Sequence, residues 1–185
     1  MKIFKSRFVL VFSSLLMCGL IGFGLWFFAG DKSPIMEFDD ARDTKDLLDL
    51  FARERYWLVA DDDYSPEYMI KYRAPNPELM YRGRLHIKVC RVNGAFVGFT
   101  TYYMKTPELG QLLFLAVNPE FRGRTKGGYA QKLLRHGLDE LKKMGAHKVL
   151  LYTRTDNMPG QGLYNRVGFY EISRDDGFIQ YNYDL

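Results

Sequence analysis

The fold of this chain is decided by residues 111–141, QLLFLAVNPEFRGRTKGGYAQKLLRHGLDEL. The stretch begins with an apolar run, Leu112–Val117, which is too short for a helix and is closed by Asn118-Pro119, so it predicts a buried strand. A loop rich in Arg, Lys and Gly follows over Arg122–Gly128. An amphipathic helix comes next, because apolar residues recur near the helical period at Tyr129, Leu133, Leu134, Leu138 and Leu141.

The cationic, glycine-rich loop between this strand and this helix predicts a site for a phosphate group. The backbone N–H groups of a first helical turn have no partner within the helix and can point at an anion. Glycine lets that anion approach the backbone closely. Two nucleotide-binding patterns do not fit. The nucleotide-hydrolase loop requires Gly, four residues and then Gly-Lys-Ser/Thr. The spacing of Gly123, Gly127 and Gly128 also differs from the dinucleotide pattern Gly-x-Gly-x-x-Gly.

The loop resembles the acyl-CoA pyrophosphate loop of the GNAT superfamily of N-acetyltransferases, whose pattern is Arg/Gln-x-x-Gly-x-Gly/Ala. Gly128-Tyr129-Ala130 matches the end of that pattern, and Phe121–Arg124 matches its entry. Thr125-Lys126-Gly127 lies between the two parts, so this loop is about two residues longer than the family's. Thr125 occupies the position that precedes Gly128 by three, where the family has Arg or Gln.

A second block, Asn157–Phe169, is similar to another motif of the same superfamily. It carries the pattern Asn-(x5)-Leu-Tyr-(x3)-Gly-Phe in full, at Asn157, Leu163, Tyr164, Gly168 and Phe169. One helix and one strand separate the two blocks, which is also the family's spacing. Two ordered motifs at this separation are far more specific than either alone, and the resemblance covers the chain from about Ile35 to its last residue.

The order of predicted strands and helices is β-α-α-β-β-β-α-β-α-β-β. The strands are predicted at Ile35–Phe38, Leu85–Val92, Ala95–Met104, Leu112–Val117, Lys148–Thr153, Phe169–Ser173 and Phe178–Asp184. Helices are predicted to begin at Asp43-Thr44, at Ser65-Pro66-Glu67, near Tyr129 and at Gly160. Asn93-Gly94 is a strong hairpin signal. We therefore predict an α/β fold, a mixed sheet flanked by helices on both faces, as the resemblance to the GNAT acyl-CoA N-acyltransferase fold also implies.

The start of the chain predicts a membrane anchor, so we divide the chain into an anchor, residues 1–30, and an N-acetyltransferase domain, residues 31–185. Phe8–Ala29 is 22 residues without a charge, and a helix needs about 20 to span a bilayer. A cleaved signal peptide is the alternative. It is disfavoured because its apolar run would be only about 7–15 residues and because Phe27-Phe28-Ala29 lacks a small-x-small cleavage site. The predicted localisation is a membrane, through a single-pass N-terminal helix.

The charge of the chain is concentrated before that apolar run. The net charge is +4, and Lys2, Lys5 and Arg7 contribute three positive charges to a segment without acids. The rest of the chain is nearly neutral and gives no support for a nucleic-acid partner. The three cations favour a domain outside the cytoplasm, whereas acetyl-CoA is held mainly within it, so the side of the membrane is left open. Two cysteines and three scattered histidines form no disulfide framework and no metal site.

The resemblance implies transfer of an acetyl group from acetyl-CoA to a primary amine. Placement in a cleft and backbone N–H groups aimed at the developing oxyanion would lower the barrier. Carried over by position, Val117 would offer its N–H to the acetyl carbonyl, and Leu115 would bond the pantetheine arm. The pyrophosphate would be bound by the backbone of Gly127, Gly128, Tyr129 and Ala130 and by the charges of Arg122, Arg124 and Lys126.

The same resemblance assigns the remaining site residues. Tyr164 matches the family's general acid, which protonates the coenzyme A thiolate. Asn157 would bond the pantetheine or cap the helix. The general base is left open. Glu108 is the nearest acid to the start of the central strand, Gln111 sits closer but cannot titrate, and Tyr102 or Tyr103 could substitute.

Three functions remain open at this point. The first is a membrane-anchored N-acetyltransferase that uses acetyl-CoA and no metal, with polyamine-like, aminoglycoside-like or protein amine acceptors. The second is a coenzyme A-binding sensor or scaffold without turnover, which the longer loop and the missing base favour and the intact Asn157 and Tyr164 disfavour. The third is transfer of a longer acyl group. A homodimer is also left open.

Overall fold

A computed structural model describes residues 34–60, 64–71, 73 and 84–185, whose strands form one mixed sheet. The strands are β1 (Ile35–Glu37), β2 (His86–Val92), β3 (Ala95–Met104), β4 (Leu109–Val117), β5 (Lys148–Arg154), β6 (Tyr170–Asp175) and β7 (Phe178–Asp184). The helices are α1 (Asp40–Leu58), α2 (Glu67–Lys71), α3 (Tyr129–Lys143) and α4 (Met158–Val167). Short 3₁₀ turns at Pro119–Phe121 and Arg124–Lys126 lie in the loop before α3. The predicted order of strands and helices is confirmed.

The sheet has the strand order β1-β2-β3-β4-β5-β7-β6. β4 and β5 are parallel and pair over Leu109–Gln111 and Lys148–Leu150, whereas the other neighbouring strands are antiparallel. Beyond Gln111, no described strand pairs with the edge of β4 that faces β5. A bulge also bends β4, because Thr101 and Tyr102 pair with Phe114 and Leu112 and leave Leu113 between them. The two parallel strands therefore diverge towards the C-terminal end of β4.

Two apolar clusters cover the two faces of the sheet. One contains residues of α1 and α2 together with Phe99 and Phe114. The other contains residues of α3 and α4 together with Tyr102 and Val149. Phe99 and Tyr102 are three residues apart on β3, so their side chains point to opposite faces. The prediction of helices on both faces is confirmed.

Two tight hairpins place non-glycine residues in the left-handed region. The predicted turn Asn93-Gly94 joins β2 to β3 with φ angles of 50° and 83°, as a type I′ turn requires. Asp176-Gly177 joins β6 to β7 with φ angles of 47° and 75°. The second turn was not predicted from the sequence, although Asp-Gly carries the same signal as Asn-Gly.

The predicted start of α1 at Asp43-Thr44 is wrong by three residues. The helix begins at Asp40, because the carboxylate of Asp39 caps it by accepting the backbone N–H of Arg42 at 2.9 Å. Asp43 instead lies inside the first turn with no exposed surface. Several aspartates compete for the cap at this end of the helix, and the tertiary contacts of Asp43 decide between them.

The predicted membrane localisation is corrected by the structure. Within residues 34–60, 64–71, 73 and 84–185, no helix combines the length and the apolar composition needed to cross a bilayer. The longest of these helices, α1, has 19 residues and carries charged side chains in every turn, which a hydrocarbon environment would not solvate. Phe8–Ala29, on which the prediction was based, lies outside the described residues. The membrane localisation is not retained.

Candidate active site

A cleft of about 500 Å³ lies at the C-terminal end of β4. Its walls come from the last turns of α1, the end of β4, the loop before α3 with the start of α3, and the start of α4. The lining residues are Glu54, Trp57, Leu58, Leu115, Ala116, Val117, Arg122, Gly123, Gly128, Tyr129, Ala130, Gln131, Asn157, Met158, Pro159, Gly160, Gly162, Leu163, Tyr164 and Arg166.

The end of β4 turns backbone groups towards this cleft. Asn118 donates its backbone N–H to the Val97 carbonyl at 2.8 Å, so that N–H points to β3. The direction of backbone groups alternates along a strand, so those of Leu115 and Val117 point the other way. In agreement, the Val117 carbonyl accepts a hydrogen bond from Nε of Arg122 at 2.8 Å. Both residues predicted to bond the acetyl-pantetheine part of a donor therefore lie on the cleft wall, and these roles stay predictions.

The first turn of α3 presents its backbone N–H groups without a side-chain cap. Gly128 is the N-cap residue, with φ 62° and ψ 33° in the left-handed region, a conformation that favours glycine. A Cβ atom at Gly128 would meet nothing within 4 Å, so backbone conformation rather than space explains the glycine. The first turn also contains no acidic residue, which would otherwise complement the helix dipole. This helix end is therefore suited to an anion supplied by a ligand.

The structure brings only part of the predicted phosphate loop to the cleft. Arg122, Gly128, Tyr129 and Ala130 line it. Gly127 lies behind the Tyr129 ring, which a Cβ atom at Gly127 would approach to 2.7 Å. Lys126 is exposed and is not a lining residue. Arg124 opens the 3₁₀ turn Arg124–Lys126, which accommodates the extra length of the loop, and its side chain lies outside the description.

Arg122 is held by two protein oxygens. Besides the bond to the Val117 carbonyl, its Nη2 forms an ion pair with Oε2 of Glu54 at 2.5 Å. The Glu54 side chain is 13% exposed. Glu54, Trp57 and Leu58 were not predicted from the sequence as cleft residues. Their spacing of three and four residues places them on one face of α1, and an acid within that stripe is the signal that could have identified them.

Tyr164 and Asn157 lie on the α4 side of the cleft. Tyr164 is 9% exposed, and its ring packs against those of Phe169 and Tyr181 at centroid distances of 5.9 Å. Burial raises the pKa of Tyr164 to about 12, so its hydroxyl carries a proton at neutral pH. Asn157 accepts the backbone N–H of Gly160 at 3.1 Å and donates to Thr153 Oγ1 at 2.9 Å. It therefore caps α4, and its contact with pantetheine stays a prediction.

The structure does not bring Glu108 to the cleft. Glu108 is exposed in the connection before β4, where its carbonyl accepts the N–H groups of His147 and Lys148 at 2.8 and 3.2 Å. Leu115 lies farther along the extended strand by roughly 20 Å. The other candidate bases are also elsewhere: Tyr102 is fully buried in the core beneath α3, and Tyr103 donates to Gln111 Oε1 at 2.7 Å.

Comparisons with known proteins agree on one family. The model of the acetyltransferase (GNAT) family matches residues 44–169. Mycothiol acetyltransferase of Corynebacterium glutamicum strain R is 36% identical over 73 residues, which cover 40% of this chain and 24% of that protein. N-alpha-acetyltransferase 30 of Schizosaccharomyces pombe is 33% identical over 84 residues, 45% of this chain and 54% of that protein. The chain thus spans about a quarter to a half of the length of these curated relatives.

A solved structure shares the fold at low sequence identity. The PaiA N-acetyltransferase of Thermoplasma acidophilum, in complex with coenzyme A, superposes with a TM-score of 0.62. It is 19% identical, and the match covers 82% of this chain and 98% of that one. At this identity the likeness supports the fold, and the predicted mixed sheet flanked by helices is confirmed.

Proposed function

This chain belongs to the acetyltransferase (GNAT) family, and from that membership we propose that it transfers an acetyl group from acetyl-CoA to a primary amine. The observation that carries the proposal is the uncapped start of α3 beside the free edge of β4. A helix N-terminus binds phosphate, and strand N–H groups can polarise a carbonyl. The helix start and the strand edge both line one cleft. A thioester that also carries a diphosphate needs both kinds of group within reach of one molecule.

The donor would be bound along β4 and α3. The backbone N–H groups of Gly128, Tyr129 and Ala130 would donate hydrogen bonds to the diphosphate oxygens. Leu115 and Val117 would bond the pantetheine arm and the acetyl carbonyl. Both the diphosphate and the thioester would then be fixed relative to one rigid strand and one helix, which places the reacting carbon without further motion.

The chemical step needs one proton donor at the sulfur. The neutral amine attacks the thioester carbon, and the Val117 N–H stabilises the oxyanion that forms. The C–S bond then breaks, and the departing thiolate takes the hydroxyl proton of Tyr164. The new amide nitrogen releases its extra proton to water in the open cleft, and Tyr164 regains a proton from solvent. Burial raises the pKa of Tyr164 to about 12, so the hydroxyl still carries its proton at neutral pH when the thiolate leaves.

The proposal is tested by binding of acetyl-CoA to the full chain, measured by calorimetry and by the shift of the melting temperature. A ligand at 100 times its Kd stabilises the folded state by about 2.7 kcal/mol, so we expect a clear upward shift. Release of free coenzyme A thiol in the presence of a panel of primary amines then measures transfer. A folded chain whose melting temperature is unaffected by acetyl-CoA would contradict the donor assignment.

A second candidate is a coenzyme A-binding module without turnover. It is favoured by the distance of Glu108 from the cleft, since the base predicted from the sequence would not reach the acceptor. This candidate keeps the donor site and predicts tight coenzyme A binding with no thiol release for any amine in the panel. Thiol release that depends on the amine would exclude it.

A further inference from the structure

The α1 wall of the cleft carries one acid. Among the described residues that line the cleft, Glu54 is the one with a carboxylate side chain. Its 13% exposure means that water solvates it only partly, so its interaction with a charged ligand is screened less than at an open surface. The described histidines do not line the cleft. Arg122 and Arg166 also line the cleft, so Glu54 supplies the carboxylate that a positively charged ligand could pair with there.

An exposed indole lines the cleft on the same face of α1 as this carboxylate. Trp57 follows Glu54 by three residues on α1, which places the two side chains one helical turn apart on the same face. Trp57 is 41% exposed, although burying an indole would be favourable. Its ring stands edge to face with that of Tyr56 at 4.8 Å, which limits its rotation. A carboxylate next to an aromatic face is the combination that binds organic cations.

Arg122 holds the carboxylate close to the end of β4. One guanidinium group donates to the Val117 carbonyl at 2.8 Å and to Oε2 of Glu54 at 2.5 Å. Glu54 is therefore linked to the Val117 carbonyl through one guanidinium group and two hydrogen bonds. A carboxylate has about four acceptor positions, so the ion pair with Arg122 leaves capacity for a second donor.

We propose that Glu54 and Trp57 form a cation-binding subsite for the acceptor, and that the chain acts on primary amines bearing a second positive group close to the reacting one. The inference rests on the proposed function, since it assigns the acceptor end of the same cleft. The reacting amine must be neutral to attack, and a neighbouring carboxylate would favour its ammonium form. Glu54 is therefore better suited to a second cation that does not react.

The test compares two probes of equal length and different charge. Binding of 1,4-diaminobutane and of its neutral isostere 1,4-butanediol is measured by calorimetry at pH 7, on the full chain saturated with coenzyme A. No acetyl group is present, so binding is read without turnover. We expect the diamine to bind at least roughly tenfold more tightly, and we expect Glu54→Gln to reduce this ratio to about one.

Asp49→Asn is the matched control. Asp49 also lies on α1, is exposed, and pairs with Lys45 at 2.6 Å outside the cleft. The Asp49→Asn substitution removes one negative charge from the same helix, as Glu54→Gln does, and should leave the preference for the diamine unchanged. Equal binding of diamine and diol by the unaltered chain, or a preference that survives Glu54→Gln, would overturn the subsite.

A second variant, Trp57→Leu, tests the subsite if Glu54→Gln does not fold. Trp57→Leu should weaken diamine binding several-fold and leave coenzyme A binding unchanged, and unchanged diamine binding overturns the proposal. Thiol release from acetyl-CoA separates this inference from the proposed function. Tight diamine binding without transfer contradicts the proposed function alone. Transfer to 1,4-diaminobutane and to 4-amino-1-butanol with equal KM contradicts the subsite alone.

Discussion

Tyr164 is the side chain whose replacement addresses the chemical step most directly. Tyr164→Phe keeps the ring that packs against Phe169 and Tyr181 and removes only the hydroxyl. The leaving thiolate then has to take its proton from water, so we expect kcat to fall at least roughly tenfold. The Kd for acetyl-CoA should change less than about twofold, because the diphosphate anchor is untouched.

Steady-state thiol release and calorimetry measure these two quantities. Tyr181→Phe serves as the control, because Tyr181 is 2% exposed in the same cluster and does not line the cleft. Removal of the Tyr181 hydroxyl should leave kcat unchanged. A Tyr164→Phe variant with the turnover of the unaltered chain would exclude Tyr164 as the acid.

The start of α3 is where the donor affinity should be most sensitive. Gly128→Asp puts a carboxylate at the N-cap, where it can accept the N–H groups offered to the diphosphate and repel the anion. We expect the Kd for acetyl-CoA to rise at least roughly tenfold, measured by calorimetry. The left-handed φ of 62° also makes any side chain costly here, so a control with the same strain is needed.

Gly177→Asp provides that control. Gly177 has φ 75°, and a Cβ atom there would also meet nothing within 4 Å. It lies in the turn between β6 and β7, which does not line the cleft. The two variants should lose similar stability, and only Gly128→Asp should lose donor affinity. Equal donor affinity in both would exclude the α3 start as the anchor.

The attachment of α1 to the sheet maintains one whole wall of the cleft, and Asp43 is central to it. The carboxylate of Asp43 has no exposed surface. It accepts hydrogen bonds from Nε of Arg42 at 2.9 Å, from Nε of Arg91 on β2 at 2.8 Å and from the backbone N–H of Asp39 at 2.9 Å. Asp43→Asn removes a fully buried charge that pairs with the mostly buried Arg91 and with the more exposed Arg42, so we expect the free energy of unfolding in urea to fall by roughly 3 kcal/mol.

Asp46→Asn is the comparison for this change. Asp46 pairs with the same Arg91 at 2.5 Å, but its side chain is 41% exposed, so its loss should cost less than about 1 kcal/mol. Equal losses from the two variants would contradict the role assigned to burial.

The same carboxylate predicts how stability depends on pH. Burial alone would raise the pKa of Asp43, but the hydrogen bonds from Arg42, Asp39 and Arg91 outweigh it and lower the pKa. An unfolded Asp titrates near pH 3.9, so the contribution of Asp43 is complete above about pH 4 and is lost as the pH falls through the lower folded value. Asp43→Asn should therefore flatten the acid limb of the stability curve, and an unchanged slope would contradict this assignment.

Local signals account for what was predicted correctly. Asn93-Gly94 needs only its two residues to adopt a type I′ turn, and the apolar period of α3 can be counted within the helix. The Asn-(x5)-Leu-Tyr spacing likewise puts Asn157 and Tyr164 at fixed positions on α4. The predicted start of α1 was wrong for the opposite reason. The choice between Asp39 and Asp43 as the helix cap depends on Arg91, which lies on a strand far away in the sequence.

The order of strands and helices, the two family motifs and the family itself could be predicted from the amino-acid sequence, because the signals for each lie in residues that are neighbours along the chain. The tertiary structure alone decided which of these residues share the cleft. It placed Gly127 behind the ring of Tyr129, outside the cleft lining. It also brought Glu54 of α1 against Arg122, a contact between residues far apart in sequence. Such a contact follows from how the helices pack on the twisted sheet, and no local period or turn signal encodes it.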